Sequence, residues 1–448
     1  TTQTYLAGRS KGRLMNPYLK LLSTYESRNV THLAEDGAWP IVWERAKGVH
    51  VWDTDGKKYL DLTGAFAVAA TGHANPRVTQ AAQAQFAKLP HAMGDVHPHP
   101  LKGELARALS KLTFERWAKQ EFQQVHNHCL PHEMPPRHAK TIFCNSGFEA
   151  VEAALKTALL ATDKPGVIAF EGAYHGLGYG ALNTTHRAMF HKPFRKQLGK
   201  FSRFAQFPET EAACAETLAH LEKLFQKHSI GAVLMEPIQG RAGLRVPPLR
   251  FLGDLKTLCK SHHALLICDE IYTGFGRTGE WFACDSSQFY PDLICLGKAL
   301  TNGFPLSACV GRATVMDRAW PASEGEAIHT STYLGHPVGC AMALAQLKEL
   351  KEKKLITHAR RLGKKFKTMC NRISIPGARY VGRGLMAGLA FDEGEGPRVM
   401  SAVKEMLQRG YILLPSGEHG NVITFSPPLT ITEKQLERAL VALQKVMA

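Results

Sequence analysis

An acid and an amine at the ends of two apolar runs are the residues of this chain best placed for chemistry. Asp269 follows Ala264-Leu265-Leu266-Ile267-Cys268, and Lys298 follows Leu293-Ile294-Cys295-Leu296-Gly297. If the runs are neighbouring parallel strands, both side chains emerge at one sheet edge and share a pocket, because sites in such sheets lie beyond the carboxyl ends of the strands. A lysine there suits Schiff-base chemistry: desolvation and nearby cations lower its pKa and expose a nucleophilic amine. Either residue alone would read simply as the end of a strand.

A second constellation suits an anion. Cys144-Asn145-Ser146-Gly147-Phe148-Glu149 lies between a short apolar run, Thr141-Ile142-Phe143, and a helical pattern carried by Val151, Ala154, Leu155, Ala158 and Leu159. Free amides and the positive end of a helix dipole can hold a phosphate at such a turn. Ser146 and Glu149 also fit a capping box, and the two readings are compatible. Tyr174, in Gly172-Ala173-Tyr174-His175-Gly176, offers a ring for stacking on a planar group; taken alone, it reads as packing.

Two further patterns carry less. Gly274-Phe275-Gly276-Arg277-Thr278-Gly279 spells the dinucleotide-binding G-x-G-x-x-G. Five residues separate it from the preceding apolar run, however, and no helical period follows it. His126, His128, Cys129, His132 and His138 crowd the segment 119–140 together with three prolines, but their spacing matches no standard metal site. A surface insertion is the expectation there, and no metal is expected.

The elements that must position these residues follow from pattern. Asp55-Gly56 between Val49-His50-Val51-Trp52-Asp53 and Lys58-Tyr59-Leu60-Asp61-Leu62 predicts a hairpin. From about residue 80, helical stretches alternate with unbroken apolar runs at 141–143, 166–170, 232–235, 264–268 and 293–296. Strands without polar alternation predict a largely parallel sheet covered on both faces. After Pro337 a long helical pattern crosses the basic stretch 348–367, which reads as a solvated helix face.

At 448 residues, with 44% hydrophobic and 21% charged, the chain can bury a large core and is not intrinsically disordered. Its ten cysteines include no C-x-x-C pair and read as reduced core residues. No leader pattern and no transmembrane-length apolar run appear, so the expectation is a soluble, cytoplasmic protein. The net charge of +16 favours anionic company. A basic nucleic-acid-binding protein would account for that charge, yet no basic and aromatic binding module is visible.

Taken in order, the motifs closely resemble the class III aminotransferases among fold-type I pyridoxal-phosphate enzymes. The resemblance rests on the stretch from Phe143 to Lys156, Tyr174-His175-Gly176, Glu236-Pro237-Ile238-Gln239-Gly240 and the run from Cys268 to Gly279. Gly297-Lys298-Ala299-Leu300, His329-Thr330-Ser331-Thr332-Tyr333 and Pro427-Pro428-Leu429-Thr430 complete it. It covers nearly the whole chain. It implies an α/β fold: a large domain at 80–333 around a mostly parallel sheet, and a smaller α+β domain built from 1–79 and 334–448.

The resemblance also implies roles. Lys298 carries the Schiff base to pyridoxal 5'-phosphate and shuttles a proton, and Asp269 keeps the pyridine nitrogen protonated. Ser146, Gly147 and Phe148 hold the phosphate; Tyr174 and Ile271 cover the ring; His175 and Glu236 belong to the same cofactor site. Thr332 reaches the phosphate of a neighbouring subunit, which implies a homodimer with shared sites, without nucleic acid or membrane. The reaction implied is ping-pong transfer of an amino group from an amine, an ω-amino acid such as 4-aminobutyrate, or an amino acid to an oxo acid. A racemase or epimerase with the same motifs is the alternative.

The chain departs from the family in five places, the first being Phe148, where the family often has a small residue. Tyr272 stands where a glutamine is usual, and Arg241 where many members carry a glutamate. Leu413-Leu414-Pro415 and Thr424 stand where arginines occur in relatives. Arg241 is therefore the candidate clamp for a substrate carboxylate, since a planar guanidinium binds carboxylate in bidentate fashion; a surface or interface arginine is the competing reading.

Overall fold

The chain reverses at Asp55-Gly56 as the hairpin signal requires, with Gly56 supplying the left-handed φ of +78°. Strands β1 (Trp43–Lys47), β2 (His50–Asp53) and β3 (Lys58–Asp61) form an antiparallel meander. This computed structural model describes residues 16–34, 37, 39–125 and 138–448. Of the histidine-rich segment, the positions His126, His128, Cys129 and His132 lie outside the described residues.

The central sheet has seven strands: β4 (Ala139–Cys144), β5 (Gly166–Phe170), β6 (Ser202–Ala205), β7 (Ile230–Met235), β8 (Leu265–Asp269), β9 (Leu293–Leu296) and β10 (Ser307–Arg312). Their order is β4-β10-β9-β8-β7-β5-β6. Pairings from β6 through to β9 are parallel, whereas β10 runs antiparallel to both its neighbours, β9 and β4. The lack of polar alternation has the expected cause. Ala232 and Leu234 of β7 pack into the core beneath the helix Gly147–Thr162, while Val233 and Met235 pack into the core on the opposite face. Both faces of β7 are buried, so every position of Ile230–Met235 is apolar.

Strands β6 and β10 were not among the expected ones. Ser-Arg-Phe-Ala at the sheet edge is too polar to stand out, and β10 is punctuated by Gly311 and followed at once by a helix. The fold is thus a mixed sheet with six strands in one direction and one reversed, covered by helices on both sides.

The carboxyl-terminal region contributes β11 (Arg379–Arg383), β12 (Met386–Ala390), β13 (Tyr411–Ile412), β14 (Leu414–Ser416) and β15 (Val422–Phe425). Four of these form an antiparallel sheet in the order β11-β12-β15-β14; β13 leaves it and pairs in parallel with β3, extending the amino-terminal meander. The basic stretch divides between the helices Pro337–Glu352 and Leu355–Arg372, which break at Lys354 with φ +52°. Leu355, Ile356, Ala359, Leu362 and Phe366 of the second helix face the core, and Lys364, Lys365 and Lys367 face water. The basic stretch is therefore a solvated face.

The glycine-rich run 274–279 is a series of turns with no helix after it, so it makes no dinucleotide-binding unit. Its centre instead interlocks with the carboxyl-terminal region. The buried Arg277 donates to the Leu385 and Pro427 carbonyls, and the Leu385 N–H donates back to the Arg277 carbonyl at 3.0 Å. The nine cysteines among the described residues are buried and free. No helix among the described residues is long and apolar enough to cross a membrane.

Three backbones stack without intervening side chains where the helix Leu355–Arg372 crosses this interlock. A Cβ on Gly363 would lie 2.5 Å from the Gly384 Cα, and one on Gly384 would lie 2.4 Å from the Thr278 carbonyl carbon. Gly363→Ala should therefore lower stability by about 1–3 kcal/mol through overpacking, outweighing the roughly 1 kcal/mol that alanine gains over glycine in a helix. A fall in the urea unfolding midpoint is the expected reading; a midpoint that rises would mean the helix can move away without loss.

Candidate active site

Strands β8 and β9 are parallel neighbours with Asp269 opposite Cys295, so Asp269 and the residues just after β9 reach the same sheet edge. Lys298 follows Gly297 there in the left-handed region, φ +41°. Such a conformation costs a non-glycine residue about 1–2 kcal/mol. The Leu300 N–H, which donates to the Gly297 carbonyl at 2.9 Å, closes the turn that holds it.

Asp269 is buried and fixed from two sides. His175 Nδ1 lies 2.8 Å from its Oδ2, and the Ile271 N–H donates to its Oδ1 at 3.1 Å. The far ring nitrogen of His175, Nε2, is buried with no partner. Glu236, after β7, gathers two turns by accepting from the Tyr174 N–H at 2.9 Å and the Gly240 N–H at 3.0 Å. Burial raises the pKa of Glu236, and the positive field of His175 opposes that rise.

Burial pushes the Lys298 amine below the ordinary lysine range; the Asp269 and Glu236 carboxylates resist the fall, and the Arg241 charge adds to it. A lysine less basic than usual presents more of its neutral, nucleophilic form at neutral pH. Its Nζ lies 4.7 Å from the centroid of the Tyr272 ring, whose hydroxyl donates to Ser426 at 3.2 Å.

At the start of the helix Gly147–Thr162 the capping box is only half made. The Glu149 carboxylate accepts from the Asn145 and Ser146 N–H groups at 2.6 and 3.0 Å, whereas the Ser146 hydroxyl is buried without a partner. Ser307, at the start of the reversed strand β10, donates to the Ser146 carbonyl at 2.6 Å and pins the turn. An unpaired hydroxyl at the positive end of a sixteen-residue helix is suited to an oxygen-rich anion. Gly147 packs closely on Ile271: a Cβ would lie 3.0 Å from Ile271 Cδ1, so that side chain would have to shift.

One cavity of about 820 Å³ unites these groups. Gly147, Phe148, Tyr174, His175, Glu236, Arg241, Asp269, Ile271 and Lys298 all line it. Ser146 stands next to it in the chain, and Thr332 is exposed and outside its lining. Phe66, Leu177, Arg187, Ser416 and Glu418 also line the cavity and were not foreseen. Arg187 follows Thr184-Thr185-His186 with no recurring pattern around it, and Phe66 owes its place to a left-handed turn in which Ala65, Phe66 and Ala67 all have positive φ.

Over residues 33–447 the chain matches the family described as Aminotransferase class-III. It is 35% identical over 423 residues to the 5-aminovalerate aminotransferase DavT of Pseudomonas aeruginosa, covering 90% of this chain and 92% of that one. It is 33% identical over 420 residues to the 4-aminobutyrate aminotransferase GabT of Escherichia coli, with coverage of 90% and 92%. A solved structure of the ornithine aminotransferase from Toxoplasma gondii, with partial occupancy of PLP at its active site, is 28% identical. It superposes with a TM-score of 0.80 and covers 97% of this chain and 95% of that one.

The electrostatics of the lysine can be read in cofactor-free protein. Reductive methylation of Lys298, followed by peptide mass spectrometry, should reach half its limiting rate at a lower pH than methylation of the exposed Lys348. Asp269→Asn should move that midpoint lower still, because the carboxylate it removes favours the charged amine. A midpoint equal to that of Lys348 would contradict the burial of the amine.

Proposed function

The chain belongs to the class-III aminotransferase family, and on that premise we propose which of its residues run the family's reaction and on what class of donor. The activity is pyridoxal-phosphate-dependent amino-group transfer to an oxo acid. The residues fit the cofactor: an unpaired buried hydroxyl at Ser146 suits its phosphate, and a glycine pressed against Ile271 leaves a slot beside Lys298. When bound, pyridoxal 5'-phosphate supplies an aldehyde that takes up nitrogen and a ring that stores the electrons released at the substrate carbon.

In this reading Lys298 Nζ, freed by the incoming amine, would take the proton from the substrate carbon that bears the nitrogen and deliver it to the carbon of the cofactor, and do the reverse in the second half of the cycle. Asp269, oriented by His175 and the Ile271 amide, holds a proton at the ring nitrogen. Ser146, with the amides of Gly147 and Phe148, binds phosphate. Tyr174 and Ile271 exclude water from the two ring faces, and Glu236 positions Tyr174 and the Gly240 turn. The observation that carries the reading is the lysine amine withdrawn from water into one cavity with two buried carboxylates.

The donor we propose is an ω-amino acid, with the amine at one end and a carboxylate at the other held by Arg241. Arg241 lines the cavity and its charge is felt by Lys298. The names of the relatives DavT and GabT specify donors of this form, 5-aminovalerate and 4-aminobutyrate. We place the active form as a cytoplasmic homodimer in which Thr332 reaches the partner's cofactor phosphate. Exposed apolar side chains at Phe86, Met93, Val96, Ile328 and Tyr333 support an interface. The division into 80–333 and a smaller unit from both chain ends is proposed with it, supported by the pairing of β13 with β3.

Mixing holoenzyme with an ω-amino acid and no oxo acid should convert one equivalent of cofactor, followed by its absorbance, and then stop until an oxo acid is added. Lys298→Ala should bind cofactor without the wild-type visible band and lose at least about 10²–10⁴-fold in the half-reaction, the usual contribution of a positioned base. Continuous turnover of a single amino acid without an oxo acid would contradict transfer as the reaction of this site.

A further inference from the structure

Arg187 is a half-buried cation in the active-site cavity with no assigned task. It precedes the short helix Ala188–His191, and one of its terminal nitrogens donates to the Arg241 carbonyl at 2.7 Å. Its Nε is buried and has no partner. A buried N–H without an acceptor is rare in native proteins and calls for an explanation. Burial weakens the proton affinity of Arg187, and the nearby Arg241 charge acts in the same direction; Glu418 and Glu236 oppose both. Two guanidinium groups therefore face one cavity and repel each other while no anion lies between them.

Arg241 is held differently. Its guanidinium rests 4.6 Å from the centroid of the Tyr174 ring and 5.5 Å from that of Phe190. Stacking of this kind leaves the N–H edge of the fork free for an acceptor. Its backbone is fixed instead: the Arg241 carbonyl accepts from Arg187 and from the Gly417 N–H at 3.1 Å. Arg187 thus does two things at once, holding the turn that carries Arg241 and lining the cavity beside it.

We propose that Arg187 and Arg241 together form the subsite for the substrate carboxylate remote from the reacting nitrogen, with Arg187 as the specificity-determining residue that also positions Arg241. The inference rests on the aminotransferase reading of the cavity and deepens it by a residue. A carboxylate between the two guanidinium groups relieves their repulsion and accepts charge-assisted hydrogen bonds from them. An amine of the same length without the carboxylate gains neither.

The test compares 5-aminopentanoate with pentylamine, which differ only in the carboxylate, in the half-reaction of the holoenzyme. Arg187→Met should lower kcat/KM for 5-aminopentanoate about 10- to 100-fold, the worth of a charge-assisted hydrogen bond. The loss should fall mainly on KM, and pentylamine should stay within about twofold of wild type. Arg187→Lys should restore much of the preference. Pentanoate, which cannot react, should bind holoenzyme by calorimetry and bind Arg187→Met more weakly by a similar factor. Equal losses on both donors, or unchanged pentanoate affinity, would overturn the subsite. If wild-type holoenzyme reacts with neither donor, the ω-amino acid reading fails, and the pentanoate titration still decides the subsite.

Discussion

A lysine amine withdrawn from water beside two withdrawn carboxylates sets the terms for everything around it. The burial that makes Lys298 nucleophilic also raises the cost of charging Glu236; the two carboxylates offset the first effect, and the field of His175 with the Tyr174 and Gly240 amides offsets the second. That balance requires the strands bearing them to end at one level. The parallel pairing of β7, β8 and β9 meets the requirement, and full burial of both sheet faces holds those strands in register. The backbone amides that clasp Glu236 and Asp269 then fix the loops carrying Tyr174, Gly240 and Ile271.

The parts legible from the amino-acid order were those with a local signature. Unbroken apolar runs revealed five of the seven central strands, and acid and amine at the ends of two of them revealed the site before any geometry was known. Strand β10 escaped because its direction is decided by pairing on both sides, which leaves no trace in its own residues. Arg187 and Phe66 escaped for a related reason: one reaches the cavity from a loop, the other from a left-handed turn, and neither position has a period. The capping box at Ser146 was legible as a pattern, but the pattern did not tell that only its glutamate half would form. The hydroxyl half is left without a partner, and that difference is visible only once the surroundings of Ser146 Oγ are known.

The net charge of +16 resolves into two populations. Most of the basic stretch 348–367 lies on water-facing helix surface, where it raises solubility and touches no chemistry. Arg187, Arg241 and Lys298 are a few charges among many, yet they line one cavity in which the Arg241 charge acts on both of the others. Their influence comes from position and not from number, so overall charge was a poor guide to the partner, and its first suggestion of nucleic acid has no counterpart in the site.

The pairing of β13 with β3 has a consequence for the order in which the protein is made. Roughly 350 residues separate Asp61 from Tyr411, and a ribosome adding roughly 5–20 residues per second needs about 20–70 s to cross that interval. During that time the amino-terminal meander stands with the outer edge of β3 unpaired, a row of backbone donors and acceptors open to any passing strand. The strand is only four residues long and opens on the exposed Lys58, both of which discourage a stranger from adding to it. A strand made late in the chain thus covers the edge of one made early.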